Sequence, residues 1–352
     1  MPNRKKSSKS PARPAAGRRR GPRILYAVTV CVLCIAAIVL CLVAAGHLVG
    51  VELISESQPS SSSSATPAPA APVTTTAAVP SERGTEIPAT ITVPDNITPE
   101  TEMPLVVMCH GFTGNRDGDG HFQPLADTLA KSGIASIRID FPGNGDSTEE
   151  FTAYTLDNMY DDIESAISYM RGSYTIGKIG LVGHSMGGRV VSLHLSDAIS
   201  AAALWSPANG NGLDGLEFIS DTAEGREQMR ADAAETGEYA ISGWNVTISS
   251  DFIEQMDRSH PADSIRDYTG ALLVAFAGGD LDLLSQTTID DTLQAANDRE
   301  LDFVDLSDQF ADATHNYTAQ SEDEAETAEI SALLENSTAE FLIDALLPDQ
   351  AA

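Results

Sequence analysis

Seven short apolar runs alternate with amphipathic stretches between residues 87 and 306, and no other feature constrains the fold as much. The runs are 87–93 (IPATITV), 104–109 (PLVVMC), 134–140 (IASIRID), 178–183 (KIGLVG), 201–205 (AAALW), 271–276 (ALLVAF) and 301–306 (LDFVDL). Several are continuously apolar, as expected of parallel strands covered on both faces. Between them, Phe122, Leu125, Ala126 and Leu129 share one helical face, as do Leu156, Met159, Tyr160, Ile163, Ile167 and Met170. A final helix is predicted to begin at a capping box, Ser321 to Glu324, and to carry Ile330, Leu333, Leu334, Phe341 and Leu342. Alternation of this kind predicts an α/β protein with a doubly wound, mostly parallel sheet. One stretch breaks the rhythm. Residues 207–262 separate two strands by far more than the usual connection, with helical patches near 224–235 and 250–258. They are predicted to form a lid inserted over the strand ends.

The first 85 residues follow other rules. Residues 1–23 are basic, and 24–46 hold no charge. As a helix, those 23 residues would span about 34 Å, enough for a hydrocarbon core of about 30 Å. The expectation is a basic cytoplasmic tail (1–23) and a transmembrane helix (24–51), with everything beyond it extracellular. A secreted protein, cleaved after a signal peptide near Val43-Ala44-Ala45, is the competing reading, although its apolar core would be unusually long. Residues 52–85 read as a linker: 21 of the 24 residues from 57 to 80 are Ser, Thr, Ala or Pro, so the segment predicts a disordered stalk. The globular domain is then 86–349.

Charge divides along the same line. Nine Lys/Arg and no acidic residue precede residue 52, so the remaining 301 residues carry 12 basic and 51 acidic ones, a formal 12 − 51 = −39. Such a body repels nucleic acid, so none is expected as a partner, whereas the membrane is, through the N-terminal helix. Three of the four cysteines lie in the apolar run; Cys109 stands alone in the domain and cannot form a disulfide within it.

The chemistry centres on Gly183-His184-Ser185-Met186-Gly187, which follows the run 178–183 and opens a helix with Val190, Val191 and Leu193. A strand, a G-x-S-x-G turn and a helix make a nucleophile elbow, the hallmark of the α/β-hydrolase fold. Glycines flank the serine because a β-carbon at 183 or 187 would collide within so sharp a turn. The turn exposes the hydroxyl, and the helix points its positive end at developing negative charge. A serine needs a base, and this fold orders the partners Ser, acid, His. His47 lies in the expected membrane segment; His110, His121 and His184 precede Ser185; His194 falls within the elbow helix and His260 closes the lid. His315, in a polar loop before the final helix, is the remaining candidate. The acid should follow run 271–276, where Asp280 and Asp282 compete. Counting from the strand favours Asp280, after Gly278-Gly279, while Leu283-Leu284 better suits Asp282. The loop His110-Gly111-Phe112 is predicted to supply one oxyanion-hole N–H from Phe112, with Met186 supplying the other. The run GFTGNRDGDG lacks the Gly-Lys-Ser/Thr of a phosphate loop and the terminal Glu of an EF-hand, so neither a cofactor nor a metal is expected.

At this point HGFTGN, FQPLADTLAKSGIASIRIDFPGNGDS and VGHSMGGRV together resemble the cinnamoyl/feruloyl esterases of the α/β-hydrolase superfamily, over about residues 86–347. The segment THNY around His315 and the lid segment ISGWNVTISSDFIEQM resemble them more weakly. The resemblance implies cofactor-free hydrolysis of phenolic-acid or other small acyl esters. Met186 departs from the Gln often found there, and Ala277 stands where Gly is usual, which bears on the phenolic assignment and leaves the fold untouched. Three functions are carried forward: a serine esterase acting on small-molecule esters, an acyltransferase of the cell envelope using the same triad, and a non-catalytic surface binding protein. The lid's Phe218, Tyr239, Trp244 and Phe252 are scattered in sequence, which predicts no large apolar surface.

Overall fold

A computed structural model describes residues 71–95, 97, 98 and 100–347. The basic tail, the expected transmembrane helix with its signal-peptide alternative, and most of the stalk lie outside them. Among the described residues no helix is long and apolar enough to cross a membrane.

An eight-stranded sheet forms the frame. Its strands are β1 (Val73–Pro80), β2 (Glu86–Val93), β3 (Met103–Cys109), β4 (Ala135–Ile139), β5 (Ile176–His184), β6 (Ala201–Trp205), β9 (Ala271–Ala275) and β10 (Val304–Asp305). They lie in the order β1-β2-β4-β3-β5-β6-β9-β10. β1 and β2 pair antiparallel, as do β2 and β4, and the other pairings are parallel. Strand alternation divides the apolar residues between two cores. In β3, Leu105, Val107 and Cys109 enter one core, and Val106 and Met108 enter the other. The first core is closed by helices α2 (Leu156–Ser173) and α3 (Met186–His194), the second by α1 (Phe122–Lys131) and α8 (Glu324–Leu346). A remaining helix, α7 (Gln286–Asn297), lies between β9 and β10. The predicted faces of α1 and α2 are the buried ones, Tyr160 excepted, which is exposed; of the final helix's predicted face Leu334 and Leu342 are buried, Ile330 and Phe341 half-buried and Leu333 exposed. Thr155 caps α2 by accepting from the Asn158 amide at 3.2 Å, a contact worth about 1 kcal/mol.

Three expectations need correction. The stalk does not reach residue 85: Val73–Pro80 is a strand, registered from Val73 opposite Val93 to Pro80 opposite Glu86. Its three threonines are β-branched and suit a strand as well as a stalk, and its one proline stands at the strand's end. The run 301–306 shrinks to a two-residue edge strand: Val304 and Asp305, paired with Leu273 and Val274, are both exposed, so no burial rewards a longer ladder. The final helix is capped by Asp323, which accepts from the amides of Ala325 and Glu326, and not by Ser321, whose hydroxyl bonds Glu326 instead.

The lid is built as expected of an insertion after β6. It holds a 3-10 turn (Gly212–Leu216), helix α4 (Ala223–Thr236), a hairpin of β7 (Glu238–Ile241) and β8 (Val246–Ser249), and helix α5 (Ser250–Asp257). Helix α6 (Pro261–Asp267) then leads back to the sheet.

Candidate active site

Ser185 sits between β5 and α3 with φ 55° and ψ −117°, a strained conformation for a residue with a side chain. Backbone bonds hold it there: its N–H donates to Trp205 O at 2.9 Å, and its carbonyl accepts from Arg189 and Ala208, each at 3.0 Å. A β-carbon on Gly187 would land in the Cys109 carbonyl, and one on Gly183 would land in the backbone of Gly187. Both glycines of the motif are therefore steric necessities.

His315 lies in the loop between β10 and α8. Its Nδ1 donates to Oδ1 of Asp280 at 2.6 Å. Asp280 is fully buried and its other oxygen accepts from the Ala277 amide at 2.7 Å, which fixes the carboxylate's orientation. Asp282 is exposed. The 3-10 turn Gly278–Asp282 explains the difference, since residues two apart on it point in different directions, one inward and one to solvent. With Nδ1 held by Asp280, Nε2 is the His315 nitrogen available to a serine hydroxyl.

Ser185, His315, Phe112 and Met186 line one cavity of about 210 Å³. Met186 is the first residue of α3, so its N–H has no partner within the helix. Apolar side chains also line the cavity: Phe218 and Trp244 from the lid, with Leu283 and Leu284 from beyond β9. Here the expectation from spacing fails in part. The Phe112 ring meets Phe218 edge-on at 5.1 Å and Trp244 at 5.5 Å, and Phe252 stacks at 6.4 Å. Phe151 and Tyr154 touch the same ring at 5.1 and 5.6 Å. Aromatics scattered along the chain are gathered around one residue of the predicted oxyanion loop.

Residues that motif reasoning passed over hold this arrangement. His184 Nε2 bonds the His315 carbonyl at 2.9 Å, and His121 Nε2 bonds the next carbonyl, Asn316, at 3.0 Å. His121 also reaches Glu335 at 3.0 Å. Burial opposes charge on His121, but Glu335 and the Asn316 carbonyl outweigh it and raise its pKa. Burial first, and repulsion by His315 second, push His184 down to about 3, which leaves it neutral. Tyr317 donates to Ala275 O at 2.8 Å and accepts from the Ser206 hydroxyl at 2.9 Å, tying the loop to the end of β9. Arg189, wholly buried on α3, donates to the carbonyls of Ala208 and Gly210 at 2.7 Å and to the Ser259 hydroxyl at 2.5 Å. It thus clasps both ends of the lid to the nucleophile helix. His184 could have been suspected from its place beside Ser185; the pairing of His121 with Glu335, 214 residues away, left no local signal.

Sequence and structure comparisons agree with this fold. The α/β-hydrolase fold family matches residues 104–236. The chain has the α/β-hydrolase fold, and it resembles esterases of that fold. Among solved structures it is similar to Est1E from Butyrivibrio proteoclasticus, determined with ferulic acid bound. That likeness has a TM-score of 0.55 at 20% identity and covers 76% of this chain and 98% of Est1E. It is also similar to the Pyrococcus furiosus esterase Pf2001, with a TM-score of 0.55 at 17% identity, covering 78% of this chain and 92% of that one. A curated relative, 2-succinyl-6-hydroxy-2,4-cyclohexadiene-1-carboxylate synthase of Serratia proteamaculans (strain 568), is 30% identical over 95 residues, 27% of this chain. The chain spans 33% of that relative's length.

Proposed function

We propose that the protein is a serine hydrolase that cleaves small carboxylic esters through a Ser185-His315-Asp280 triad. The observation that carries this is the 2.6 Å bond from His315 to a buried Asp280, beside a strained Ser185 in the same cavity. In this reading His315 Nε2 takes the Ser185 proton as Oγ attacks the ester carbonyl. The amides of Phe112 and Met186 receive the oxyanion. His315 returns the proton to the departing alcohol, leaving an acyl-Ser185 ester. Water, deprotonated by the same nitrogen, then releases the acid and regenerates the serine. Asp280 orients the ring and stabilises its transient positive charge.

The substrate class follows from the cavity. At about 210 Å³ it is small, below the range of about 300–1,000 Å³ usual for ligand pockets. Its apolar wall of Phe218, Trp244, Leu283 and Leu284 suits a short or aromatic acyl group, and a cinnamoyl-type acid is the aromatic candidate. The similarity to a structure that binds ferulic acid supports that candidate. From the sequence alone we infer a single-pass membrane anchor at 24–51 with the catalytic domain outside the cell. The test is full-length protein in detergent against esters from acetate to palmitate, with methyl ferulate and methyl p-coumarate included. Labelling by a fluorophosphonate at Ser185 and turnover of short or aryl esters are expected. A preference for chains of about twelve carbons or more would make it a lipase, and the absence of any labelling or turnover would overturn the hydrolase reading.

A further inference from the structure

The imidazoles around His315 differ in what their nitrogens can still do. His184 Nε2 faces the His315 carbonyl at 2.9 Å, and a carbonyl can only accept, so Nε2 carries the proton. The ring is neutral, as burial requires, and a neutral imidazole has a single N–H. Its Nδ1 is therefore an acceptor. That nitrogen lies 3.7 Å from Oδ2 of Asp119, outside hydrogen-bonding distance, and carboxylate oxygens are acceptors as well. Both residues line the cavity that contains Ser185 and His315. His184 is buried, while the Asp119 side chain is 44% exposed.

Resting on the ester-hydrolase reading above, we propose that His184 Nδ1 and Asp119 form a receiving site for a hydrogen-bond donor carried by the substrate, a hydroxyl or an ammonium. The 3.7 Å separation lets one donor atom stand within about 2.9 Å of both acceptors. An ammonium has hydrogens for each; a hydroxyl bonds one at a time. The strongly acidic body raises the local concentration of cations, which favours the ammonium arm. Phe218 and Trp244 of the same cavity offer contact to the apolar part of the molecule, so the ester would be amphiphilic. Partial burial pushes the Asp119 carboxyl up, and His121 and His315 pull it back. The backbone supports a selected position: Asp119 has φ 54° between two glycines, in a turn where a third glycine would be the unstrained choice.

The experiment compares matched esters on full-length protein in detergent. With the donor on the acyl side, the set is methyl propionate, methyl lactate and alanine methyl ester. With the donor on the alcohol side, it is propyl, 2-hydroxyethyl and 2-aminoethyl butyrate. At least one donor-bearing ester should have kcat/KM about tenfold or more above its donor-free analogue, as a charge-assisted hydrogen bond allows. In Asp119→Asn that ratio should fall to near one, and in Asp119→Gly, which leaves Nδ1 as the remaining acceptor, it should fall severalfold, whatever the absolute rates. Both replacements tolerate a positive φ, and the Asn amide would donate to Nδ1 and occupy it. A hydroxyl or an ammonium preference supports the proposal and tells the two donors apart. Equal rates across each wild-type set, or a preference that persists in both variants, would overturn it. Failure to turn over any ester would instead count against the hydrolase reading.

Discussion

Ser185 is held by its own neighbours: glycines two places away on either side, and a helix that starts at the next residue. His315 is held by Asp280, 35 residues back, and by His184, 131 residues back. Both residues end on the wall of one cavity, yet their positions have different origins. The nucleophile is set by a contiguous turn packed against the adjacent strands, whose Cys109 and Trp205 carbonyls close on it. The base is set by hydrogen bonds that form only once the sheet, α1 and α8 have assembled. A perturbation at the elbow should therefore act on chemistry, and one at the histidine loop on both chemistry and the folded state's tolerance of pH.

The elbow side breaks first and most completely. Ser185→Ala should abolish fluorophosphonate labelling and lower ester turnover by about 10⁶, the scale of nucleophile loss in a comparable triad. Its thermal unfolding should match wild type, because alanine keeps the small side chain the turn accepts. Substantial residual turnover in this variant would move the nucleophile elsewhere. On the base side, Asp280→Asn should cost about 10⁴ in kcat through loss of ring orientation and charge stabilisation. Asp282→Asn should change kcat only a few-fold, since that side chain is exposed. The opposite ranking would transfer the role to Asp282.

That pair marks where legibility from sequence ended. The parallel sheet was readable because its strands are continuous apolar runs, and Ser185 because its motif is contiguous. His315 followed by eliminating six other histidines. Asp280 and Asp282 stayed open because only the 3-10 turn distinguishes them, turning one carboxylate inward. β1 was lost inside a Ser/Thr/Ala/Pro composition, and its one fully buried apolar side chain, Val79, gave no periodicity to detect. The aromatic wall was invisible for another reason: Phe112, Phe218, Trp244 and Phe252 belong to separate elements and meet only across the lid.

Acid should expose the histidine side next. The folded-state pKa of His184 is pushed down to about 3 and that of His110 to about 4, both chiefly by burial. The unfolded chain binds these protons near pH 6.5, so it gains protons that the folded state refuses. Stability therefore falls as pH drops below about 6.5 and stops falling on this account only below the folded values. The combined loss is several kcal/mol, since each tenfold weakening of proton binding by a folded ring is worth about 1.4 kcal/mol. His184→Gln keeps a donor for the His315 carbonyl and removes one titration. Its Tm should decline less steeply than wild type between pH 6 and 4. Parallel curves would mean that His184 does not drive the acid loss.

The smallest effect expected lies in the lid, and it tests whether the lid tunes selectivity while the sheet performs the reaction. Trp244 is 37% exposed and meets Phe112 at 5.5 Å and Phe218 at 6.1 Å, both edge-on. Such aromatic contacts contribute about 0.5–1.5 kcal/mol each beyond the area they bury. A substrate ring on the cavity wall would share in them, whereas an acetyl group has no ring to do so. Trp244→Ala should therefore lower kcat/KM for methyl p-coumarate by about three- to tenfold, the equivalent of one such contact. Acetate ester turnover should change less, so the ratio between the two substrates is the quantity to measure. Equal losses on both would mean that Trp244 supports Phe112, and with it the amide at the oxyanion position, making the lid part of the catalytic frame. An unchanged ratio with unchanged rates would remove the aromatic wall from substrate recognition and leave Leu283 and Leu284 as the acyl contact.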